Sequence, residues 1–154
     1  AVRFAHTPLI APVQGRIVYT DPYGPRIHPI YRRRDFHAGL DIASDTGAEI
    51  VAPADGVVHA VGFEPAKGRY LEIDHGSGAY FDDKGAKTSA RYRTRYYHCL
   101  KVLAKKGQKV VRGEVVAQVG SSGVSTAPHL HYEIEVNGKT INPAGYILDR
   151  PPRR

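Results

Sequence analysis

Glycine and proline cut this chain into short pieces, with 16 glycines and 11 prolines spread over 154 residues. Between them, no window of about 12 residues carries the apolar stripe of an amphipathic helix. What remains is β-branched or alternating, as in Val57-Val58-His59-Ala60-Val61 and Tyr70-Leu71-Glu72-Ile73-Asp74. Such residues fit a pleated, half-buried surface. Strands are expected over 15–19, 49–51, 56–63, 70–75, 93–98, 110–111, 115–119 and 129–136. Turn signals stand between them at Asp21-Pro22-Tyr23-Gly24-Pro25, Ala54-Asp55-Gly56, His75-Gly76-Ser77-Gly78 and Asn137-Gly138. Asp82 to Ser89 reads as the tip of a long loop or hairpin, and Gly120 to Ala127 as a second loop. Residues 100–105 and 143–148 are the candidates for short helices. The fold class is therefore mostly β: a compact antiparallel sheet domain with few short helices.

One domain is expected at this length, large enough to bury about two-thirds of its unfolded surface. Residues 1–14 read as an N-terminal segment, 15–148 as the domain and 149–154 as a flexible tail. No apolar run approaches the roughly 18 residues that span a bilayer. The chain begins Ala1-Val2-Arg3 without an apolar signal region. That fits either a cytosolic protein or an exported one whose signal has been removed.

Net charge is +7 with eight histidines counted neutral, which favours a polyanionic partner: nucleic acid, an anionic membrane surface or a charged cell wall. Arginines cluster at 32–34, 91–95 and 153–154. Arg91-Tyr92-Arg93-Thr94-Arg95-Tyr96-Tyr97 interleaves rings with guanidinium groups, as single-strand nucleic-acid binders do, although a solvated loop or exposed strand has the same composition. One cysteine, Cys99, excludes an internal disulfide. Its neighbour His98 invites a Cys/His nucleophile reading, but adjacent strand residues face opposite ways, and a buried structural cysteine is preferred.

The chemistry concentrates in His129-Leu130-His131-Tyr132-Glu133-Ile134-Glu135-Val136. At a period of two, His129, His131, Glu133 and Glu135 share one face, and Leu130, Tyr132, Ile134 and Val136 the other. Two imidazoles at i and i+2 reach one metal ion, or one binds while the other meets the metal's water. Far upstream, His37 and Asp41 stand four apart. Three nitrogen or oxygen ligands with an open fourth position are the composition of a catalytic zinc site.

Several fragments now fall into one order. They are Tyr23-Gly24-Pro25-Arg26-Ile27-His28-Pro29-Ile30, His37-Ala38-Gly39-Leu40-Asp41-Ile42-Ala43 and Val51-Ala52-Pro53-Ala54-Asp55-Gly56-Val57-Val58. Then come Tyr96-Tyr97-His98, Lys106-Gly107-Gln108-Lys109-Val110, Gly120-Ser121-Ser122-Gly123, Ser125 to Glu133, and Asn142-Pro143. Over about residues 15–146 the chain resembles the lysostaphin-type (LytM-like) zinc endopeptidases, which cut peptide bonds in bacterial peptidoglycan. The resemblance implies a central groove with one zinc ion at its floor, held by His37, Asp41 and His131. It makes His98 and His129 the catalytic pair, with His129, beside His131, preferred as base. There is no His-Glu-x-x-His, so histidine fills the role of the glutamate base.

Glu133, on the face of His131, is a candidate to fix that ring's tautomer, with an exposed strand glutamate as the alternative. Arg26 and His28, in the family-like lead-in, and Tyr96, two before His98, are candidate substrate-binding residues; packing is the alternative for His28 and Tyr96. His59 and His75 read as core or turn residues. Three departures from the family pattern stand out: Ala127 where glycine is common, Cys99 where leucine is usual, and a long basic stretch over 80–92. The function implied is zinc-dependent hydrolysis of peptidoglycan peptides, with the D-alanyl–diaminopimelate cross-link preferred to glycine bridges. Peptidoglycan is the partner and the cell envelope or exterior the location; no nucleic acid and no stable membrane insertion are expected. The rivals are a non-catalytic wall-binding or activator module and a basic nucleic-acid-binding domain.

Overall fold

The computed structural model describes residues 4–15, 17–125 and 127–149; Arg150 to Arg154 of the expected tail lie outside them. The strands in chain order are β1 Val18–Asp21, β2 Gly24–Ile27, β3 Arg34–His37, β4 Leu40–Ala43, β5 Glu49–Val51 and β6 Gly56–Glu64. They continue with β7 Gly68–Phe81, β8 Lys87–Val102, β9 Lys109–Val110, β10 Val115–Val119, β11 His129–Val136 and β12 Lys139–Ile141. A 3-10 turn, Pro143–Tyr146, follows. As expected, the fold is mostly β and antiparallel. One sheet runs β1-β4-β11-β8-β7-β6-β9, with β12 beside β11 and β10 joining β8 to β5, while β2 and β3 form a separate ribbon.

The 16-residue β8 is the spine of this sheet. It pairs with β7 on one side, with β11 on the other, and with β10 at its far end. Tyr96, Leu130, Tyr132, Ile134, Ile42, Leu71 and Ile73 are fully buried along it. Each such side chain contributes about 1.5–3 kcal/mol of apolar burial, so the sheet beneath the site is held by packing. Residues of the N-terminal segment join in: Ala11 and Val13 are core residues, Val13 bridges Ile50, and Thr7 Oγ1 donates to Ala79 O at 2.9 Å.

Several elements differ from expectation. Residues 100–102 continue β8, and Leu103 N and Ala104 N then donate to Val116 O, so the expected helix does not form. The second helix shrinks to its 3-10 turn, capped by Asn142 Oδ1 accepting from Ala144 N at 3.0 Å. His75-Gly76-Ser77-Gly78 lies inside β7, where the ladder bulges between Asp74 and Gly76 instead of turning. The 80–92 stretch is mostly hairpin, since Phe81 still pairs with Lys87. Its Arg91–Tyr97 segment is internal to the sheet, with Tyr92 and Tyr96 buried, so those rings have no face for stacking on bases. Cys99 is fully buried, and burial pushes its thiol up to about 12. That fits the structural reading and excludes a reactive thiolate.

Candidate metal centre

Cross-strand register assembles the site. β4 and β11 set Asp41 opposite His131, and β11 and β8 set His131 opposite Tyr97. His37 ends β3, and Gly39 carries the chain into β4 without a side chain. A Cβ there would lie 2.6 Å from Tyr132 O and 2.9 Å from both the His131 ring and the Glu133 stem. The chain between His37 and Asp41 therefore lies against the ring of His131.

Three donor atoms converge as a result. His131 Nδ1 is 2.9 Å from Asp41 Oδ1, His37 Nε2 is 3.2 Å from the same oxygen, and the two nitrogens are 3.1 Å apart. His37 Nδ1 donates to Pro22 O at 2.8 Å, and His131 Nε2 donates to Glu133 Oε2 at 2.8 Å. With those protons placed, the neutral rings aim lone pairs at each other and at a carboxylate oxygen. A cation between them removes that conflict. Two imidazole nitrogens and one carboxylate oxygen suit zinc, so the residues fit the metal that the family resemblance implies. His37, Asp41 and His131 are also a group able to hold a metal ion by mutual donor distance. Without metal, burial would raise the Asp41 carboxyl, but once the rings carry a proton on the side that faces it, hydrogen bonds and charge from His131 and His37 hold it well below the usual range. Burial likewise lowers His131, yet Asp41 and Glu133 outweigh it and raise the ring to about 8.

Two more imidazoles face this cluster. The His98 and His129 ring centres are 4.9 Å apart, and His129 Nε2 lies 3.8 Å from Asp41 Oδ2. Each ring is anchored by Nδ1 to a backbone carbonyl, His98 to Ser122 O at 2.7 Å and His129 to Ala127 O at 2.8 Å. Both anchors leave Nε2 as the acceptor. Burial, reinforced by His129 and His131 and opposed by the Ser122 bond, lowers His98 to about 4, so it is neutral at pH 7.

The loop ahead of β11 makes the His98 anchor. Ser122 Oγ donates to Cys99 O at 2.7 Å, and the β6–β7 tip holds His98 by its amide through Lys67 O at 2.8 Å. Gly123, at φ +79°, touches that tip so closely that a Cβ would meet Gly68 N at 2.3 Å. His98 itself adopts φ +65°, and β8 carries one extra residue there, since Arg69 pairs with Cys99 but Leu71 with Tyr96.

That bulge corrects the placement of Tyr96. Strand alternation put it on the His98 face; instead it is fully buried and bonded to Thr94. Tyr97 takes the site position, its ring stacked on His131 at 4.9 Å, and no alternation pattern foretells that. Arg26 and His28 line the same cleft of about 180 Å³ with Tyr31 and Ser125. Arg26 is tied to Asp21 and, at 3.1 Å, to Asp35, while His28 Nδ1 accepts from the amides of Ile30 and Tyr31. A larger, more apolar hollow of about 670 Å³ lies at the β6–β9 edge and contains none of the five centre residues.

Comparisons with known proteins give the family. Residues 35–143 match Peptidase family M23. The chain is 37% identical over 132 residues to the Vibrio cholerae peptidoglycan DD-endopeptidase ShyA, covering 85% of this chain and 28% of that protein. It is 32% identical to a zinc-containing peptidase from Vibrio cholerae, with a TM-score of 0.70 over 97% of this chain and 41% of that one. The catalytic domain of lysostaphin from Staphylococcus simulans is 25% identical, with a TM-score of 0.67 over 84% of this chain and 91% of that one. The chain spans less than a third of the length of the first curated relatives it matches. On the M23 match across most of its length, the chain belongs to peptidase family M23.

Proposed function

We propose that this protein is a zinc endopeptidase that hydrolyses peptide bonds in bacterial peptidoglycan, with His37, Asp41 and His131 as ligands. The observation that carries the reading is the convergence of their three donor atoms beside the rings of His98 and His129, the latter with Nε2 3.8 Å from Asp41 Oδ2. Held by these residues, zinc would supply a Lewis acid for a substrate carbonyl and bring the pKa of a bound water down toward neutrality. His129, next to His131 on β11, would serve as the base: its Nε2 is free to accept a proton, and its Nδ1 bond to Ala127 O would steady the imidazolium. At rest neither ring donates at Nε2. A donor for the leaving amine therefore arises only once one ring has taken a proton. His98 stays neutral and flanks the reacting carbonyl, while Arg26, His28, Tyr31 and Tyr97 wall the cleft that receives the peptide.

The relatives support a reading of substrate and location. The name of ShyA, a peptidoglycan DD-endopeptidase, favours a bond between two D-configured centres, as in the D-alanyl–diaminopimelate cross-link. Glycine bridges have no such centre. A protein that acts on peptidoglycan would work in the cell envelope or outside the cell. Among the described residues, no helix is long and apolar enough to cross a membrane.

Mass spectrometry of fragments released from purified peptidoglycan, with and without a zinc chelator, tests this. The expected result is chelator-sensitive loss of cross-linked muropeptides, whose ends identify the bond. Peptidoglycan left intact by zinc-loaded protein, across several wall types, would overturn the hydrolase and favour a wall-binding module.

A further inference from the structure

Behind the metal centre runs a row of charges to which the proposed reaction gives no task. Arg95, in the middle of β8, stands opposite Glu133 on β11 and opposite Glu72 on β7. Its Nε donates to Glu72 Oε1 at 2.9 Å and its Nη1 to Glu135 Oε2 at 2.8 Å; Nη1 also lies 3.6 Å from Glu133 Oε1. The other Glu133 oxygen accepts from His131 Nε2. One guanidinium thus faces three carboxylates, and one of the three holds the ring of His131. The Arg95 side chain is 19% exposed and that of Glu133 10%, so water screens this row only in part.

Without the guanidinium, three like charges would face one another across adjacent strands, an arrangement that is unfavourable where side chains are held this close. Glu133 relieves the repulsion by rotating away from Glu72 and Glu135. That motion breaks its bond to His131 and frees the ring whose Nδ1 points at His37 and Asp41.

We propose that Arg95 is a positioning residue for the metal centre, holding Glu133 where it fixes the ring orientation of His131. This rests on the zinc reading above. It concerns affinity for the metal and not a step of hydrolysis.

The test is the zinc affinity of the metal-free chain, measured at fixed pH by competition with a chromophoric chelator. Wild type, Arg95→Met, Glu133→Gln and the double variant are compared. Arg95→Met is expected to weaken zinc binding about 10–100-fold, the usual range when a ligand's supporting partner is lost. Because Arg95 acts through Glu133, the double variant should be no weaker than the worse single one, within about twofold. An Arg95→Met protein that binds zinc as wild type does would overturn the proposal. So would losses that multiply in the double variant. A merely structural Arg95 would lower the melting temperature and leave zinc affinity unmoved. Should Arg95→Met fail to fold, Arg95→Gln, whose amide still reaches a carboxylate, takes its place in the same cycle. Wild type that binds no zinc removes this proposal together with the metallopeptidase reading. Wild type that binds zinc and cleaves peptidoglycan, alongside an unaffected Arg95→Met, removes this one alone.

Discussion

His75 is 2% exposed and fully bonded as a neutral ring. Its Nδ1 donates to Asp55 O at 2.9 Å and its Nε2 accepts from Thr94 Oγ1 at 2.7 Å, with the Tyr96 hydroxyl bonded to Thr94 in turn. A second proton would set donor against donor along that chain. Burial pushes His75 down to about 4, against the opposing Asp55 bond, while an unfolded chain titrates near 6.5. Between those values the unfolded state binds more protons, so stability rises with pH from about 4 to about 6.5 and is level above. The full contribution is about 3 kcal/mol, lost as pH falls through the window. His98 slopes the same way in metal-free protein, so the informative quantity is the difference between wild type and His75→Gln, both in chelator. Urea unfolding at a series of pH values should show a shallower slope for the variant; parallel curves would remove His75 from the account.

At the scale of elements, the bulge in β8 ties backbone strain to chemistry. A non-glycine residue at positive φ costs about 1–2 kcal/mol, and His98 carries that cost where an ordinary strand residue would point away from the cleft. Glycine at this position removes the strain and the imidazole together. His98→Gly should therefore be about 1 kcal/mol more stable than His98→Ala, with both losing turnover alike, because each lacks the ring that flanks the reacting carbonyl. Denaturation midpoints and muropeptide release measured on the pair decide it, and equal stabilities would mean that the backbone there is unstrained. The same bulge marks where the sequence ceased to be legible. β11 is readable because eight residues alternate without a break, and its imidazoles could be named from spacing alone. Tyr96 was misplaced, and Tyr97 unseen, because one inserted residue shifts everything on one side of it to the other face. β2 and β3 went unread for another reason. Gly24-Pro25-Arg26-Ile27 and Arg34-Asp35-Phe36-His37 are short, charged and mostly exposed, and pair only with each other. Glu133's bond to His131 was legible from the shared face. Its link through Arg95 to Glu72 was not, since that depends on the register of β8 against both β11, distant in the chain, and β7, whose ladder is shifted by bulges.

For the whole molecule, the question is whether metal holds the fold or the fold holds the site. Ile42, Leu130 and Tyr132 are fully buried next to the strand residues Asp41 and His131, and their packing requires no ion. Asp41 and His131 are adjacent through β4–β11 pairing, and the His37 ring is fixed through Pro22 O. The site is thus built by the sheet before any metal arrives, unlike small zinc domains that are unfolded without it. Metal binding to the native state alone still adds RT ln(1 + [Zn]/Kd), about 4 kcal/mol at a thousandfold excess over Kd. For a domain of this size that amounts to roughly 8–16 °C in melting temperature. Chelated protein is therefore expected to keep its far-ultraviolet β spectrum and a cooperative melt, and to regain the lost degrees when zinc is added back. Loss of the β spectrum in chelator would show that the metal carries the fold. A melting temperature indifferent to zinc would show that the three donor atoms bind none. Between those results lies the one expected here, a finished sheet that gains stability from an ion it does not need in order to fold.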